Sequence, residues 1–336
     1  MRAEILVVGQ GLAGTWLAWE CERTGISFEI ADRGDADGST AVAAGMVNPI
    51  TGRRFVKSWR VDTLLPAARV AYREFDAALG VRLWHEMRVR RLFADEEERR
   101  IFAGKKPGAL EPFVGASDDE GFWIEGAARV DLSAMRKAAS DRWRAQGRWR
   151  EGWVDVEEEA ANYERVIDCS GFVGARSKRW EFLPWEFSLG EALQIAIDGL
   201  DPGVAFNRGH WLVPLDKGTA WVGATHVPGA MTRATVGGGQ ERLEASARTL
   251  TSRPFRLRSL CGGMRVSLPD RRPVAGMHPD DARMGVSNGL GGKGALWAPM
   301  LARQWINFLV RGVPFDAETS PGRFERGQAA AASSQE

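Results

Sequence analysis

A mixed α/β protein of two domains is what this 336-residue sequence predicts, one domain opening on a β-α-β unit and the other built on a mostly antiparallel sheet. Three observations carry the prediction. The apolar run Ile5–Val8 breaks into Gly9-Gln10-Gly11-Leu12-Ala13-Gly14, then helical spacing, then a second apolar run, all within the first 32 residues. The middle of the chain alternates short apolar segments with turns, which suits antiparallel strands. The length matches about two domains of roughly 150 residues each.

Each element follows from its local pattern. Residues 5–8 are apolar and partly β-branched, a buried strand. Leu17, Ala18 and Cys21 recur at helical spacing over 15–23, and Gly25 supplies the C-cap. Residues 27–31 form a second strand that ends at Asp32. Residues 38–52 are small and glycine-punctuated and read as a loop. A helix is predicted over 61–79, and the charge run 96–100 reads as a solvated helix face. Strands are expected at 121–124, 163–169, 190–198, 210–215, 219–225, 260–265 and 284–286. Helices are expected over 131–145, with Asp131 as N-cap, and over 240–250 and 296–310. Pro299 predicts an irregular first turn in the last of these. The Ala/Ser/Gln-rich stretch 327–336 has no apolar anchors and reads as a disordered tail.

Composition narrows the function. Forty-five Lys and Arg against 44 Asp and Glu leave a formal charge of +1, which disfavours a polyanion scaffold. Three cysteines and four histidines are scattered, with no HExxH or CxxC, so no metal site is expected. Residues 1–9 do not read as a signal peptide, and no run of about 18 apolar residues predicts a membrane span. A cytoplasmic, reduced protein is the expectation. Glycine is unusually frequent, 39 residues against a background of about 7%, and the excess sits in discrete clusters.

The first cluster is a dinucleotide-binding fingerprint in its proper setting between strand and helix. Gly9 allows the tight turn, Gly11 lets a pyrophosphate approach the backbone, and Gly14 lets helix and strand pack. The first amides of the helix, at Leu12 and Ala13, then face the phosphates. Asp32, with Arg33 beside it, is placed to bind an adenosine ribose. This is the opening of a Rossmann-type domain. The fingerprint alone serves NAD and FAD equally.

Four further blocks resemble those of the D-amino-acid-oxidase-like family of FAD-dependent amine oxidoreductases, and the resemblance spans residues 3–311. Ser39-Thr40-Ala41-Val42-Ala43-Ala44-Gly45-Met46-Val47-Asn48-Pro49 is similar to the small-residue loop that wraps the flavin. Val166-Ile167-Asp168-Cys169-Ser170-Gly171 is similar to the strand and glycine turn that close over the dinucleotide. Gly262-Gly263-Met264-Arg265, with Asp270, Pro273 and Gly276, resembles a block of the glycine-oxidase branch. Asn288-Gly289-Leu290-Gly291-Gly292-Lys293-Gly294 resembles the loop and helix start beneath the isoalloxazine.

The resemblance implies a glycine-oxidase-like architecture: a Rossmann-type FAD-binding domain at 1–80, 125–175 and 260–326, and a substrate domain at 81–124 and 176–259. It implies FAD contacts at Gly9, Gly11, Leu12, Ala13, Gly14, Asp32, Arg33, Ser39, Thr40, Ala44, Gly45, Met46, Ser170, Gly171, Arg265, Asn288, Gly289, Gly291, Gly292, Lys293 and Gly294. Arg265 would pair with a substrate carboxylate, and a guanidinium suits that task because it offers two parallel donors. The backbone of 292–294 and the Lys293 ammonium would favour reduced flavin, while His210 and Trp211 would face the substrate. FAD is expected to be noncovalent. The position that carries covalent flavin in sarcosine oxidases is Gly263 here, although Cys261 lies two residues earlier.

The expected reaction is oxidation of the C–N bond of a small amino acid or glycine- or sarcosine-like amine. Hydride passes to flavin N5, the imine hydrolyses, and hydrogen peroxide forms if oxygen is the acceptor. Partners are then a small carboxylated amine and oxygen or another electron acceptor; the oligomeric state is left open. Two alternatives stay open. One is removal of a carboxymethyl group from a modified tRNA uridine, with Arg53, Arg54 and Lys57 toward phosphate or clamped by local acids. The other is a nonenzymatic flavin-fold binding module.

Overall fold

The computed structural model describes residues 3–34, 38–232 and 237–324. The chain divides into two compact units: Met1–Ala41, Ser133–Ser188 and Met264–Glu336 make the first, and Val42–Leu132 with Leu189–Gly263 the second. The expected tail at 327–336 lies outside the described residues.

The first unit is built on a six-stranded sheet in the order Val274–Met277, Met284–Asn288, Arg165–Asp168, Ile5–Val8, Phe28–Asp32 and Trp149–Glu151. Neighbours are parallel except at the first edge, where Val274–Met277 runs antiparallel to Met284–Asn288. Ile5–Val8 is buried at every residue, as a central parallel strand should be. The helix Leu12–Thr24 is buried from Leu12 to Cys21, packs on the last helix, Gly294–Arg311, and ends on a left-handed Gly25. Pro299 is accommodated inside that last helix, whose first intrahelical bonds run from Leu296 and Trp297 to the Lys293 carbonyl.

The second unit carries a ten-stranded sheet. Its path is Val227–Pro228, Glu186–Ala196, Thr219–Gly223, His210–Pro214, Val204–Arg208, Trp84–Leu92, Gly121–Val130 and Met46–Val47, with Arg256–Ser267 and Val114–Ser117 paired off it. Leu193, Ile195, Leu212, Ala220 and Val222 share one face and pack on Leu243, Ala247 and Leu250 of the helix Gly239–Leu250. By alternation Trp211, Val213 and Trp221 occupy the opposite face.

Helix 61–79 forms as the pattern predicts, Val61–Leu79. Several expectations need correction. Residues 38–52 are no uniform loop: Ser39–Val42 is a turn of helix, Met46–Val47 pairs antiparallel with Gly121–Val130, and Ile50–Thr51 pairs with Val56–Lys57. Residues 42–80 cluster with the second unit, where that pairing and the Trp221 indole, which donates to the Val42 carbonyl at 2.9 Å, hold them. The charge run forms the helix Glu96–Ala103, capped by Asp95, yet Glu98 is not solvated. It is 1% exposed and accepts from Arg91 Nη2 on both oxygens at 2.8 Å and from the Ala94 amide at 2.8 Å. Among the described residues, no helix is long and apolar enough to cross a membrane.

Candidate functional site

The first unit's sheet changes direction of growth between Ile5–Val8 and Arg165–Asp168, and the crevice beyond such a switch point is where α/β sheets bind nucleotides. Three glycine-bearing turns meet the strand ends there. After Ile5–Val8 comes 9–14, after Arg165–Asp168 comes 170–171, and after Met284–Asn288 comes 289–294.

Their mutual contacts explain the glycines. Gly9 has φ +98°, and a Cβ there would lie 2.8 Å from Ser170 Cα. A Cβ at Gly14 would fall 1.9 Å from the Gly9 carbonyl oxygen, so strand end and helix approach as closely as backbone allows. The Leu12 amide donates to Thr40 Oγ1 at 3.1 Å, and the first intrahelical bond runs from Thr15 to the Gly11 carbonyl at 2.9 Å. The amides of Ala13 and Gly14 therefore precede intrahelical bonding and stand ready for an anion. Asp32 accepts from the Gln10 amide at 2.5 Å and from the Gly34 amide at 2.6 Å, which locks its carboxylate against the turn. Arg33 lies over the exposed Trp153 ring, 5.9 Å from its centroid.

Asp168 organises the second turn. It is fully buried and accepts from the Ser170 amide at 2.9 Å, the Ser170 hydroxyl at 2.6 Å and the Trp180 indole at 2.9 Å. Burial raises its pKa, against those three donors. Asn288 then ties the second turn to the third. Its Nδ2 donates to the Gly171 carbonyl at 2.8 Å, and its Oδ1 accepts from the Gly289 amide at 2.8 Å. Both ends of the buried carboxamide serve the protein, so Asn288 positions two turns rather than offering its side chain to a ligand. The spacing of the motif held no sign of this link, which joins residues 117 positions apart through the register of two strands.

The third turn is held from below. Gly291 donates to the Val266 carbonyl at 2.8 Å, which sets the loop beside Arg265, the next residue on that strand. Gly292 is exposed, and a Cβ there meets nothing within 4 Å. At Gly294 a Cβ would press on Leu12 Cδ1 at 2.8 Å. Lys293 is half-buried, and desolvation pushes its ammonium down to about 8. Burial also lowers the pKa of Arg265, which is half-buried in the same unit.

Other predicted residues have local employment. The Ser39 hydroxyl donates to the Met264 carbonyl, so its proton is not directed at a phosphate. Gly45, φ +74°, lies in the second unit, where its glycine is demanded by the Val130 carbonyl, 2.0 Å from a notional Cβ. Ala44 is buried, and Met46 pairs with Arg129. In the second unit His210 Nδ1 meets Ser246 Oγ at 3.1 Å, and burial, then Arg242, lowers its pKa. Trp211 is half-buried opposite Gly223 and Asn207. Arg53 is paired with Asp95 at 2.8 Å and Glu97 at 3.0 Å, and Lys57 with Asp62 at 2.8 Å. The Cys261 thiol donates to the Ala192 carbonyl, while burial raises the pKa of Cys169. Among the described residues no three His, Cys, Asp or Glu side chains gather as a metal site.

The cradle fits FAD on its own terms: glycines that a Cβ would block, free first-turn amides and a strand-end carboxylate. The comparisons agree. Residues 4–306 match the family model described as DAO, FAD dependent oxidoreductase. The chain is 28% identical over 348 positions to the tRNA 5-methylaminomethyl-2-thiouridine biosynthesis bifunctional protein MnmC of Maricaulis maris, covering 95% of this chain but 55% of that one. It thus spans about half the length of that relative. Glycine oxidase from Geobacillus kaustophilus superposes with a TM-score of 0.74 at 21% identity, covering 94% of this chain and 97% of that one. Iminodiacetate oxidase from Chelativorans sp. BNC1 does so with a TM-score of 0.74 at 19% identity, covering 94% and 99%. The mixed α/β fold, with its Rossmann-like unit and its largely antiparallel second sheet, is that of the glycine-oxidase-like structures. A match over nine-tenths of the sequence, on a cradle whose Gly9 and Gly14 are imposed by close backbone contact, makes this chain a member of the DAO family of FAD dependent oxidoreductases.

Proposed function

We propose that this protein oxidises the C–N bond of a small carboxylated amine, an amino acid or N-substituted glycine, with FAD held noncovalently. The observation that carries this reading is Arg265, a half-buried guanidinium one residue from the carbonyl that anchors the 289–294 loop. Partly desolvated, it suits a carboxylate better than a fully solvated cation does, and its planar fork orients the neighbouring amine carbon.

Bound FAD supplies a two-electron acceptor for the hydride of that carbon. The chain's own part is placement and charge. The amides of Ala13 and Gly14 and the Thr40 hydroxyl hold the phosphates, Asp32 takes the ribose, and Asn288 keeps the turns at 170–171 and 288–289 in register. Lys293 and the first amides of the last helix present positive potential where negative charge accumulates. Water hydrolyses the product imine to a carbonyl compound and an amine.

Anaerobic addition of glycine, sarcosine, iminodiacetate and proline to the purified protein tests the reading. Bleaching of the flavin band by one of them is the expected result, and R265A should weaken that substrate while retaining flavin. Bleaching unaffected by R265A would remove the arginine from the reading.

The relation to the Maricaulis protein favours a second reading, in which the carboxylated amine is part of a modified tRNA uridine. Against it, Arg53 and Lys57 already have acidic partners. A gel shift with bulk tRNA at rising salt discriminates, since phosphate contacts weaken steeply with salt.

A further inference from the structure

One aromatic residue beside the cradle has no place in the motif. Trp153 is 57% exposed, the single tryptophan among the strongly exposed large apolar side chains of the described residues. It follows the edge strand Trp149–Glu151, whose Glu151 pairs in register with Asp32. The Gly152 amide donates to the Asp32 carbonyl at 3.0 Å, which brings the next residue alongside the carboxyl end of Phe28–Asp32.

The rest of that edge is satisfied. Trp149 Nε1 donates to Glu151 at 3.1 Å, Arg144 pairs with Glu151 at 2.6 Å, and the Arg144 guanidinium covers the Trp149 ring at 4.4 Å. Trp153 differs. Its ring is flanked only loosely, by Arg33 at 5.9 Å, and retains most of its surface. An indole left in water costs hydrophobic free energy, and nothing in the local packing requires it there.

Resting on the FAD reading, we propose that Trp153, with Arg33 beside it, is the stacking platform for the adenine of the bound dinucleotide. With pyrophosphate on the turn 9–14 and ribose on Asp32, the base arrives at the end of the neighbouring edge strand, where Trp153 stands. Stacking on indole and contact with a guanidinium both suit the flat π face of a base.

The test uses apoprotein of the full chain, titrated with FAD and, in competition, with ADP. W153A should raise the dissociation constants of both by about 10-fold or more, as expected for loss of one base–aromatic stack. W153F should restore most of the affinity. Tryptophan quenching on ADP addition, present in the wild type, should shrink in both variants. Apoprotein thermal unfolding should not move, because the side chain is exposed. FAD and ADP binding by W153A equal to wild type overturns the inference and leaves the FAD reading intact. Wild-type protein that binds neither ligand overturns both.

Discussion

The turns 9–14 and 289–294 are both glycine-rich, both follow a parallel strand and both open a buried helix, yet they are built differently. In the first, glycine is imposed by backbone: Gly9 lies against Ser170 Cα and Gly14 against the Gly9 carbonyl. In the second, the glycines at 291 and 292 meet almost nothing, and Gly294 faces only leucine side chains. The first turn is a rigid joint with one solution. The second is an open loop held at two points, by Val266 beneath Gly291 and by Asn288 behind Gly289. A glycine cluster in a sequence therefore does not say whether it stands for close packing or for access.

The contrast is sharpest at its extremes. G14A has no space to relax into and should cost at least about 3 kcal/mol, abolishing bound flavin and lowering the thermal midpoint. N288A takes the partner from the half-buried Gly171 carbonyl and leaves the Gly289 amide buried without one, at about 1–3 kcal/mol. Flavin affinity should fall with it, and N288D should recover only the half that accepts from Gly289. R265A tests the chemistry beside the loop: KM for a carboxylated amine should rise about 30-fold or more, with flavin content unchanged.

Lys293 gives the loop a pH signature. Its folded value, about 8, lies below the ordinary 10.5, so the ammonium is present below pH 8 and is shed as pH rises through it. Holding a desolvated cation destabilises the fold below pH 8, and stability from this group rises between about 8 and 10.5. The flavin potential of K293M should sit about 30 mV below wild type at pH 7, with the gap closing above pH 8. Smallest of all, G292A should change stability by less than about 0.5 kcal/mol. A large loss there would mean that the loop is closed tightly, and the comparison would fail.

Patterns with a local cause were legible from the residues alone. The opening β-α-β unit, the helix Val61–Leu79 and the last helix follow from apolar spacing and capping glycines, and the fingerprint named the tight turn at Gly9 and the close packing at Gly14. Elements stabilised by distant partners were not. The strand Trp84–Leu92, rich in charge, shows no alternation a reader would trust. Its Arg90 and Arg91 are buried because Asp118 meets Arg90 and Glu98 meets Arg91, from segments seven to 28 residues away. Val204–Arg208 was invisible for a related reason: it lies parallel to that same strand.

Within the site, residue types could be read along the chain, but not what each side chain touches. The spacing of Asn288 announces a glycine loop, and its bond to Gly171 exists because two strands lie side by side in register. Ser39, one of the FAD contacts the resemblance implies, is turned to the Met264 carbonyl by the fold. Trp153, in no motif at all, stands beside Asp32 because an edge strand pairs there. Local sequence sets backbone propensity over a few residues, whereas hydrogen-bond partners are chosen by chain segments that meet after folding.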